Sequence, residues 1–301
     1  MKRCRSLLFM PGNNPGMLGN AASLGADAVI FDLEDAVALR EKDAARILVH
    51  NALKKLPKNQ ATSVIVRINA LDTPQWKADV DAVVEAGTEG ILLPKASTPD
   101  DIRTLAAAVE AAEKRRAPGL PEVYLIGLVE TALGIESAYE IAKSHPRLKA
   151  LQLGAEDLTL ELGAKRTPKG DEVLYSRMRL IIACRAARIM ALDTPYPFVT
   201  DLEGLAADTA FAAQLGFDGK TVISPHHVSV INGAFTPAAD QIAWSKRVIA
   251  AALQAEKEGK GAVSLDGMMI DLPIIKRAEN LLSRAGLLDT ATEANGGAGH
   301  A

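Results

Sequence analysis

Short apolar runs alternate with longer Ala-rich segments from the start of the chain to about residue 225. Eight runs rich in Leu and β-branched residues are predicted strands, at 6–10, 28–33, 63–69, 90–95, 123–130, 150–154, 192–197 and 221–224. These runs are almost continuously apolar, as expected for parallel strands that are covered on both faces. Eight strand–helix repeats of this kind predict a (β/α)8 TIM barrel rather than a doubly wound sheet.

The segments between the strands have helical periodicity, and the pattern changes after the eighth strand. Helices are predicted at 17–24, 42–53, 74–86, 98–112, 132–143, 171–190 and 202–215. The stretch 225–237 is predicted as a connector, followed by a helix at 238–257, a glycine-rich link at 258–267 and a second helix at 272–285. We therefore expect a barrel domain at 1–235, a C-terminal helical extension or lid at 236–288 and a disordered tail at 289–301.

Composition excludes several classes of protein. The chain has 301 residues, 48% of them apolar, and a formal net charge of −3, which argues against a general nucleic-acid binder. No apolar run approaches the length of a membrane span, and the run at 7–10 is too short for a signal peptide. Cys4 and Cys184 are the two cysteines, so a disulfide framework is not expected. The sequence predicts a reduced, cytoplasmic protein without nucleic-acid or membrane partners.

Two acidic residues stand where apolar strands pass into loops. Glu130 ends the run 123–129, and Asp157 follows the run 151–153. They are 27 positions apart, about one strand–helix unit, so a parallel barrel would place them side by side at its open end. There they could hold Mg²⁺, which one or two carboxylates bind while water and substrate keep the other positions. The alternative is that helix N-terminal amides compensate the two charges.

Arg67 lies late in the third strand, and three acids follow the second. A guanidinium in this position requires an anion, and its planar fork suits the carboxylate of a substrate, which we favour. The alternative is a salt bridge to Asp32 or Glu34. Alternation places those two acids on one side and Asp35 on the other or in a helix cap. Arg5, just before the first strand, is a further candidate for binding substrate or cofactor.

Other reactive residues give weaker signals. Lys95 ends the fourth strand, where it could form a Schiff base or, as we favour, pair with a neighbouring acid. His226 and His227 lack the spacing of a zinc site. No G-x-S-x-G context marks a nucleophile.

An ordered series of motifs resembles the citrate lyase β-subunit and malyl-CoA lyase family, within the wider HpcH/HpaI aldolase group. The resemblance extends to about residue 288. Its motifs are RSLLFMPGNNPGM (5–17), GADAVIFDLEDAV (25–37), VRIN (66–69), LLPK (92–95), LVETALGI (128–135), LGAEDLTLELG (153–163), LGFDGKTVISP (215–225), INGAFTP (231–237) and GMMIDLPIIKRAENLLSRAG (267–286).

The resemblance implies a (β/α)8 barrel with Mg²⁺ at the strand ends. By position, Glu130 and Asp157 correspond to metal ligands, and Arg67 to the arginine that grips a keto-acid carboxylate. Asp271 matches an acid that family lyases bring into the site on a C-terminal segment, often from a neighbouring subunit. The predicted catalytic residues are thus Arg67 and Asp271. The predicted substrate-binding residues are Arg67, Glu130, Arg5 and Glu34.

The activity that the resemblance implies is Mg²⁺-dependent carbon–carbon cleavage in a homotrimer. The substrate would be a 3-hydroxy-acyl-CoA of the malyl-CoA or citramalyl-CoA type, giving acetyl-CoA and an α-keto acid. The alternative is the β-subunit of citrate lyase, which would act on a citryl-acyl-carrier-protein thioester to give oxaloacetate. An alternative of another class is a non-catalytic barrel that serves as a partner protein.

Overall fold

The structure, a computed structural model, describes residues 1–2, 4–56, 61–259 and 263–287. Internal contacts divide the chain into two units, Met1–Phe235 and Thr236–Ala301. Within the described residues, no helix is long and apolar enough to cross a membrane. The tail predicted at 289–301 lies outside the described residues.

The first unit is a closed barrel of eight parallel strands. The strands are β1 (Ser6–Pro11), β2 (Ala28–Asp32), β3 (Ser63–Arg67), β4 (Gly90–Leu93), β5 (Tyr124–Val129), β6 (Leu148–Leu153), β7 (Met190–Asp193) and β8 (Gly219–Val222). Each strand pairs with the next in chain order, and β8 pairs with β1, where Ser6 is opposite Lys220. The TIM-barrel prediction is confirmed. The parallel arrangement brings all eight carboxyl ends to one end of the barrel.

Alternate strand residues form two separate layers of core. Strand residues such as Leu7, Ile30 and Leu92 cluster with one another, so they fill the interior of the barrel. Their sequence neighbours, such as Leu8 and Val29, cluster with apolar residues of the surrounding helices. Both faces of the sheet are therefore buried, which explains the continuous apolar runs in the sequence.

The helices of the first unit differ from prediction at several points. They are α1 (Pro15–Gly19), α2 (Lys42–Lys55), α3 (Trp76–Ala86), α4 (Pro99–Glu113), α5 (Ala132–Glu136), α6 (Ala138–Ala142), α7 (Ala155–Glu161), α8 (Leu174–Ala187), α9 (Leu202–Leu215) and α10 (Val228–Phe235). The helix predicted at 132–143 is two helices that meet at Ser137. Helix α7 was not predicted, and α10 occupies the predicted connector, where Val228, Ile231 and Phe235 form its buried face.

A buried ion network joins β7 and β8 to the helices α8 and α9. Lys220 Nζ is 2.6 Å from Asp193 Oδ2 and 2.7 Å from Asp208 Oδ2 on α9. Arg177 of α8 bonds Asp193 with two nitrogens, each at 3.0 Å, and Asp208 at 2.7 Å. Two cations and two anions therefore compensate one another, which allows four charged groups to be buried.

The second unit contains α11 (Ala239–Lys257), a hairpin of β9 (Val263–Leu265) and β10 (Met268–Ile270), and α12 (Leu272–Arg284). The two helices were predicted, but the hairpin falls in the segment predicted as a glycine-rich link, so that part of the prediction is wrong. Asp266 and Gly267 both have positive φ, at 52° and 79°, as a two-residue hairpin turn of type I′ requires. Val248, Ile270 and Ala278 form the small core of this unit.

Candidate active site

A cavity of about 390 Å³ is lined by residues at the carboxyl ends of the barrel strands. Five carboxyl groups and one guanidinium contribute to its wall, from Asp32, Asp35, Glu130, Glu156, Asp157 and Arg67. The excess of acidic groups favours a cation in this cavity.

Glu130 follows the last residue of β5 and is only 5% exposed. Its Oε1 accepts a hydrogen bond from the backbone N–H of Lys95 at 2.8 Å. Burial raises the pKa of Glu130 to about 7; the charge of Asp157 acts in the same direction, whereas the Lys95 bond and Arg67 oppose it. The protein part of the site therefore leaves this carboxylate incompletely compensated.

Lys95 contributes its backbone to the site. Its φ of 53° is left-handed, a conformation that an L-residue adopts at a cost of roughly 1–2 kcal/mol. In this conformation its N–H donates to Glu130. The side chain is exposed and forms no ion pair within the described part of the chain, so the expected pairing with an acid is not found.

Gly154 allows β6 to pass close to Glu130. A Cβ atom at Gly154 would lie 2.5 Å from Glu130 Cβ and 2.6 Å from Glu130 Oε2. A side chain there would therefore displace the carboxylate. Asp157 follows three positions later, in the first turn of α7, and lines the same cavity. Glu130 and Asp157 thus line the same cavity, as their spacing in the sequence predicted.

Arg67, the last residue of β3, is held by the acids that follow β2. Its Nε and Nη2 donate to the two oxygens of Asp32 at 2.7 and 2.6 Å. Its Nη1 lies 2.8 Å from Glu34 Oε2 and 3.4 Å from Asp35 Oδ2. The salt bridges of Arg67 to Asp32 and Glu34, which were the alternative interpretation, are therefore formed. A guanidinium has five N–H donors, so donors remain that could also reach a ligand in the cavity.

Asp32 and Glu34 differ in how well they are compensated. Asp32 also accepts the backbone N–H groups of Glu34 at 2.9 Å and Ala36 at 3.1 Å. Glu34 Oε2, although close to Arg67, lacks hydrogen-bond geometry. Burial raises the pKa of Glu34 to about 8, and Arg67 only partly offsets this. Asp35 was expected to face away, yet it also reaches Arg67, because β2 ends at Asp32 and the strand alternation ends there too.

Arg5 is not part of this cavity, which corrects its prediction as a substrate-binding residue. It precedes β1 and therefore lies at the amino end of the barrel, opposite the cavity. Its Nε and Nη2 bind the two oxygens of Asp27 at 2.8 and 2.7 Å, just before β2.

Asp271 belongs to the second unit, at the N-cap of α12. Its carboxylate accepts the backbone N–H of Ile274 at 3.2 Å, and the residue is exposed. The structure thus gives Asp271 a capping contact, and its role in catalysis stays a prediction.

Two polar residues of the cavity wall were not predicted. Gln152 on β6 is 1% exposed; its Nε2 lies 3.5 Å from Thr221 Oγ1, and its Oε1 has no hydrogen-bond partner. Thr194, which follows β7, accepts the N–H of Ala155 at 3.2 Å. A polar residue within the apolar run Leu151–Leu153 was the sequence signal for Gln152. No sequence signal pointed to Thr194, because Ala155, the residue that it contacts, belongs to a different strand–helix repeat.

The acids of the cavity fit a magnesium site. Glu130 Oε2 accepts no hydrogen bond from any described residue, and the missing Cβ of Gly154 leaves room for it. Among the described residues, no group of three or more His, Cys, Asp or Glu side chains forms a metal cluster. Two carboxylates are nevertheless sufficient for Mg²⁺, which commonly completes its shell with water and substrate oxygens.

The chain is similar in sequence and in fold to known proteins. Residues 5–225 match the family described as HpcH/HpaI aldolase/citrate lyase. Citrate lyase subunit beta of Leuconostoc mesenteroides subsp. cremoris is 40% identical over 281 residues, which is 93% of each chain. The (3S)-malyl-CoA thioesterase of Cereibacter sphaeroides is 37% identical over 93% of this chain and 94% of its own. Among solved structures, CitE from Mycobacterium tuberculosis in complex with magnesium, acetoacetate and coenzyme A is 34% identical, with a TM-score of 0.76 over 94% of this chain and 98% of that one.

Proposed function

Because the chain belongs to the HpcH/HpaI aldolase/citrate lyase family, we propose that it cleaves a carbon–carbon bond of a 3-hydroxy-acyl thioester with Mg²⁺ as cofactor. Membership confirms the resemblance and the lyase class that the motifs predicted. The observation that carries the proposal is the meeting of Glu130, Asp157 and Arg67 around one cavity.

Glu130 and Asp157 would hold the Mg²⁺ ion, and Arg67 would bind the carboxylate of the α-keto-acid part. Bound Mg²⁺ would supply Lewis acidity that favours the developing keto group. In the cleavage direction, a base removes the hydroxyl proton and the carbon–carbon bond breaks to give the carbonyl group of the α-keto acid and a thioester enolate. Asp271 would then protonate the enolate carbon, which gives the acetyl thioester.

Two substrates fit this chemistry. A malyl-CoA or citramalyl-CoA thioester would give acetyl-CoA and an α-keto acid, and the CitE structure that holds magnesium, acetoacetate and coenzyme A supports a CoA ligand. Citryl-acyl-carrier protein, the alternative, would give oxaloacetate. The 40–41% identity to citrate lyase β-subunits favours this second candidate. Both use the same acidic residues and Arg67.

The C-terminal unit is the basis for a proposed assembly. A homotrimer in which Asp271 of one subunit completes the site of a neighbour would give α12 a functional purpose. The apolar residues exposed around Asp271, which include Met269 at 70% and Leu272 at 61%, support a contact surface in this unit.

A coupled assay tests the activity. Purified protein would be supplied with Mg²⁺ and a panel of thioesters, namely malyl-CoA, citramalyl-CoA and citryl-acyl-carrier protein, and the keto acid would be measured. The expected result is keto-acid release that EDTA abolishes. If the folded protein binds neither Mg²⁺ nor any keto acid and releases no product, the non-catalytic alternative replaces this proposal.

A further inference from the structure

Helix α7 begins without a capping side chain of its own. Its N-cap residue is Gly154, which has no side chain to accept the free N–H groups of the first turn. The glycine is required because a Cβ there would be 2.5 Å from Glu130 Cβ. Position 154 therefore cannot carry a capping side chain, because that side chain would collide with Glu130.

Thr194 of the neighbouring strand–helix unit supplies an acceptor for one of these free N–H groups. Its Oγ1 accepts the N–H of Ala155, the first residue of α7, at 3.2 Å. Ala155 is 1% exposed and Thr194 is fully buried, so water has no access to this pair. Asp193, the residue before Thr194, is held in place by its buried ion pair with Lys220.

We propose that Thr194 is a positioning residue, which holds the start of α7 so that the Asp157 carboxylate stays beside Glu130. Asp157 is two residues after Ala155, so a shift or fraying of the first turn would move it directly. The inference rests on the proposed Mg²⁺ site, because it concerns the geometry of that site's two acids.

Magnesium binding to variants of Thr194 tests this role. Metal-free protein would be titrated with MgCl₂ alone in a calorimeter. Thr194→Val keeps the shape but removes the acceptor, and we expect its Kd for Mg²⁺ to rise roughly tenfold, the lower end of the range for residues that orient metal ligands. Thr194→Ser keeps the acceptor and should bind Mg²⁺ nearly as the unaltered protein does.

Thr88→Val is the matched control. Thr88 is also buried, and its hydroxyl donates to Gly90 O at 3.0 Å, but it lies at the amino end of β4. This variant should lower the unfolding midpoint while leaving Mg²⁺ affinity unchanged. Faster hydrogen exchange at the Ala155 amide in Thr194→Val, but not in Thr88→Val, would support the same conclusion.

The outcomes separate this inference from the proposed function. If the unaltered protein binds Mg²⁺ and folded Thr194→Val binds it equally well, the positioning role is wrong and the proposed function stands. An equal loss in Thr88→Val would also overturn the role, since general destabilisation would then be the cause. If Thr194→Val does not fold, Thr194→Cys, whose sulfur is a weak acceptor, takes its place. If the unaltered protein does not bind Mg²⁺, the proposed function fails and the inference with it.

Discussion

Replacing Glu130 by Gln should make the metal-free protein more stable at alkaline pH. Burial raises the pKa of Glu130 from its ordinary 4.5 to about 7. The folded protein therefore holds this proton where the unfolded chain releases it, so stability falls as pH rises from about 4.5 through about 7. A pKa difference of this size corresponds to roughly 3 kcal/mol. The Gln side chain stays neutral and keeps an oxygen for the Lys95 N–H, so it avoids this loss.

The measurement is the free energy of unfolding in urea, with EDTA present, at pH 5 and pH 8.5. At pH 5 the two proteins should be nearly equal, because Glu130 is protonated in the folded state. At pH 8.5 the Gln variant should be more stable by roughly 3 kcal/mol. Added Mg²⁺ should then stabilise the unaltered protein at pH 8.5 and leave the variant unchanged.

Glu156→Gln is the control, because Glu156 lines the same cavity with a side chain that is 64% exposed. It should show the same pH dependence as the unaltered protein. Parallel stability curves for Glu130→Gln and the unaltered protein would refute the reasoning, since burial of Glu130 would then carry no electrostatic cost.

Four further predictions concern the site, the assembly and the barrel. Asp157→Ala should abolish Mg²⁺-dependent turnover with an unchanged circular dichroism spectrum; near-normal activity with Mg²⁺ would remove Asp157 from the metal site. Arg67→Lys keeps the charge but loses the fork, so the affinity for oxaloacetate or pyruvate should fall at least about tenfold, whereas unchanged affinity would contradict its role. Co-expressed Asp271→Asn and Glu130→Ala, each inactive alone, should recover partial activity in mixed oligomers, and verified mixed oligomers without recovery would place Asp271 outside a shared site. Lys220→Met removes one of two buried cations, so the free energy of unfolding should fall by about 3 kcal/mol or more; a loss below 1 kcal/mol would show that the network is not needed.

The barrel could be predicted from sequence because its strands are covered on both faces and its helices alternate with them regularly. Strand ends were less predictable. The strand predicted at 192–197 ends at Asp193 in the structure. The side chain of Thr194 binds the first residue of α7, and Pro195 has no N–H to donate to a neighbouring strand. The β9–β10 hairpin was missed although Asp266 and Gly267 are a recognised turn pair, because the strands that flank them are only three residues long.

The candidate site could be predicted where a rule about strand ends applied. Glu130, Asp157 and Arg67 follow that rule, and they line one cavity. The same rule shows why Arg5 fails, since a residue before a strand lies at the opposite end of the barrel. The sequence could not predict the contacts between different strand–helix repeats, such as that of Gly154 with Glu130 and those of the side chains around Arg67.

The pairing of β1 with β8, which closes the barrel, has a consequence for folding during synthesis. Ser6 and Lys220 are paired although 214 positions separate them. The fit is close at Gly219, where a Cβ would be 2.0 Å from the Cys4 carbonyl oxygen. As the chain leaves the ribosome, β1 and β7 each keep an open backbone edge until β8 has emerged, and such edges can capture strands of other nascent chains. Slow synthesis between residues 193 and 222, or any substitution at Gly219, should therefore reduce the yield of soluble protein before it affects the finished enzyme.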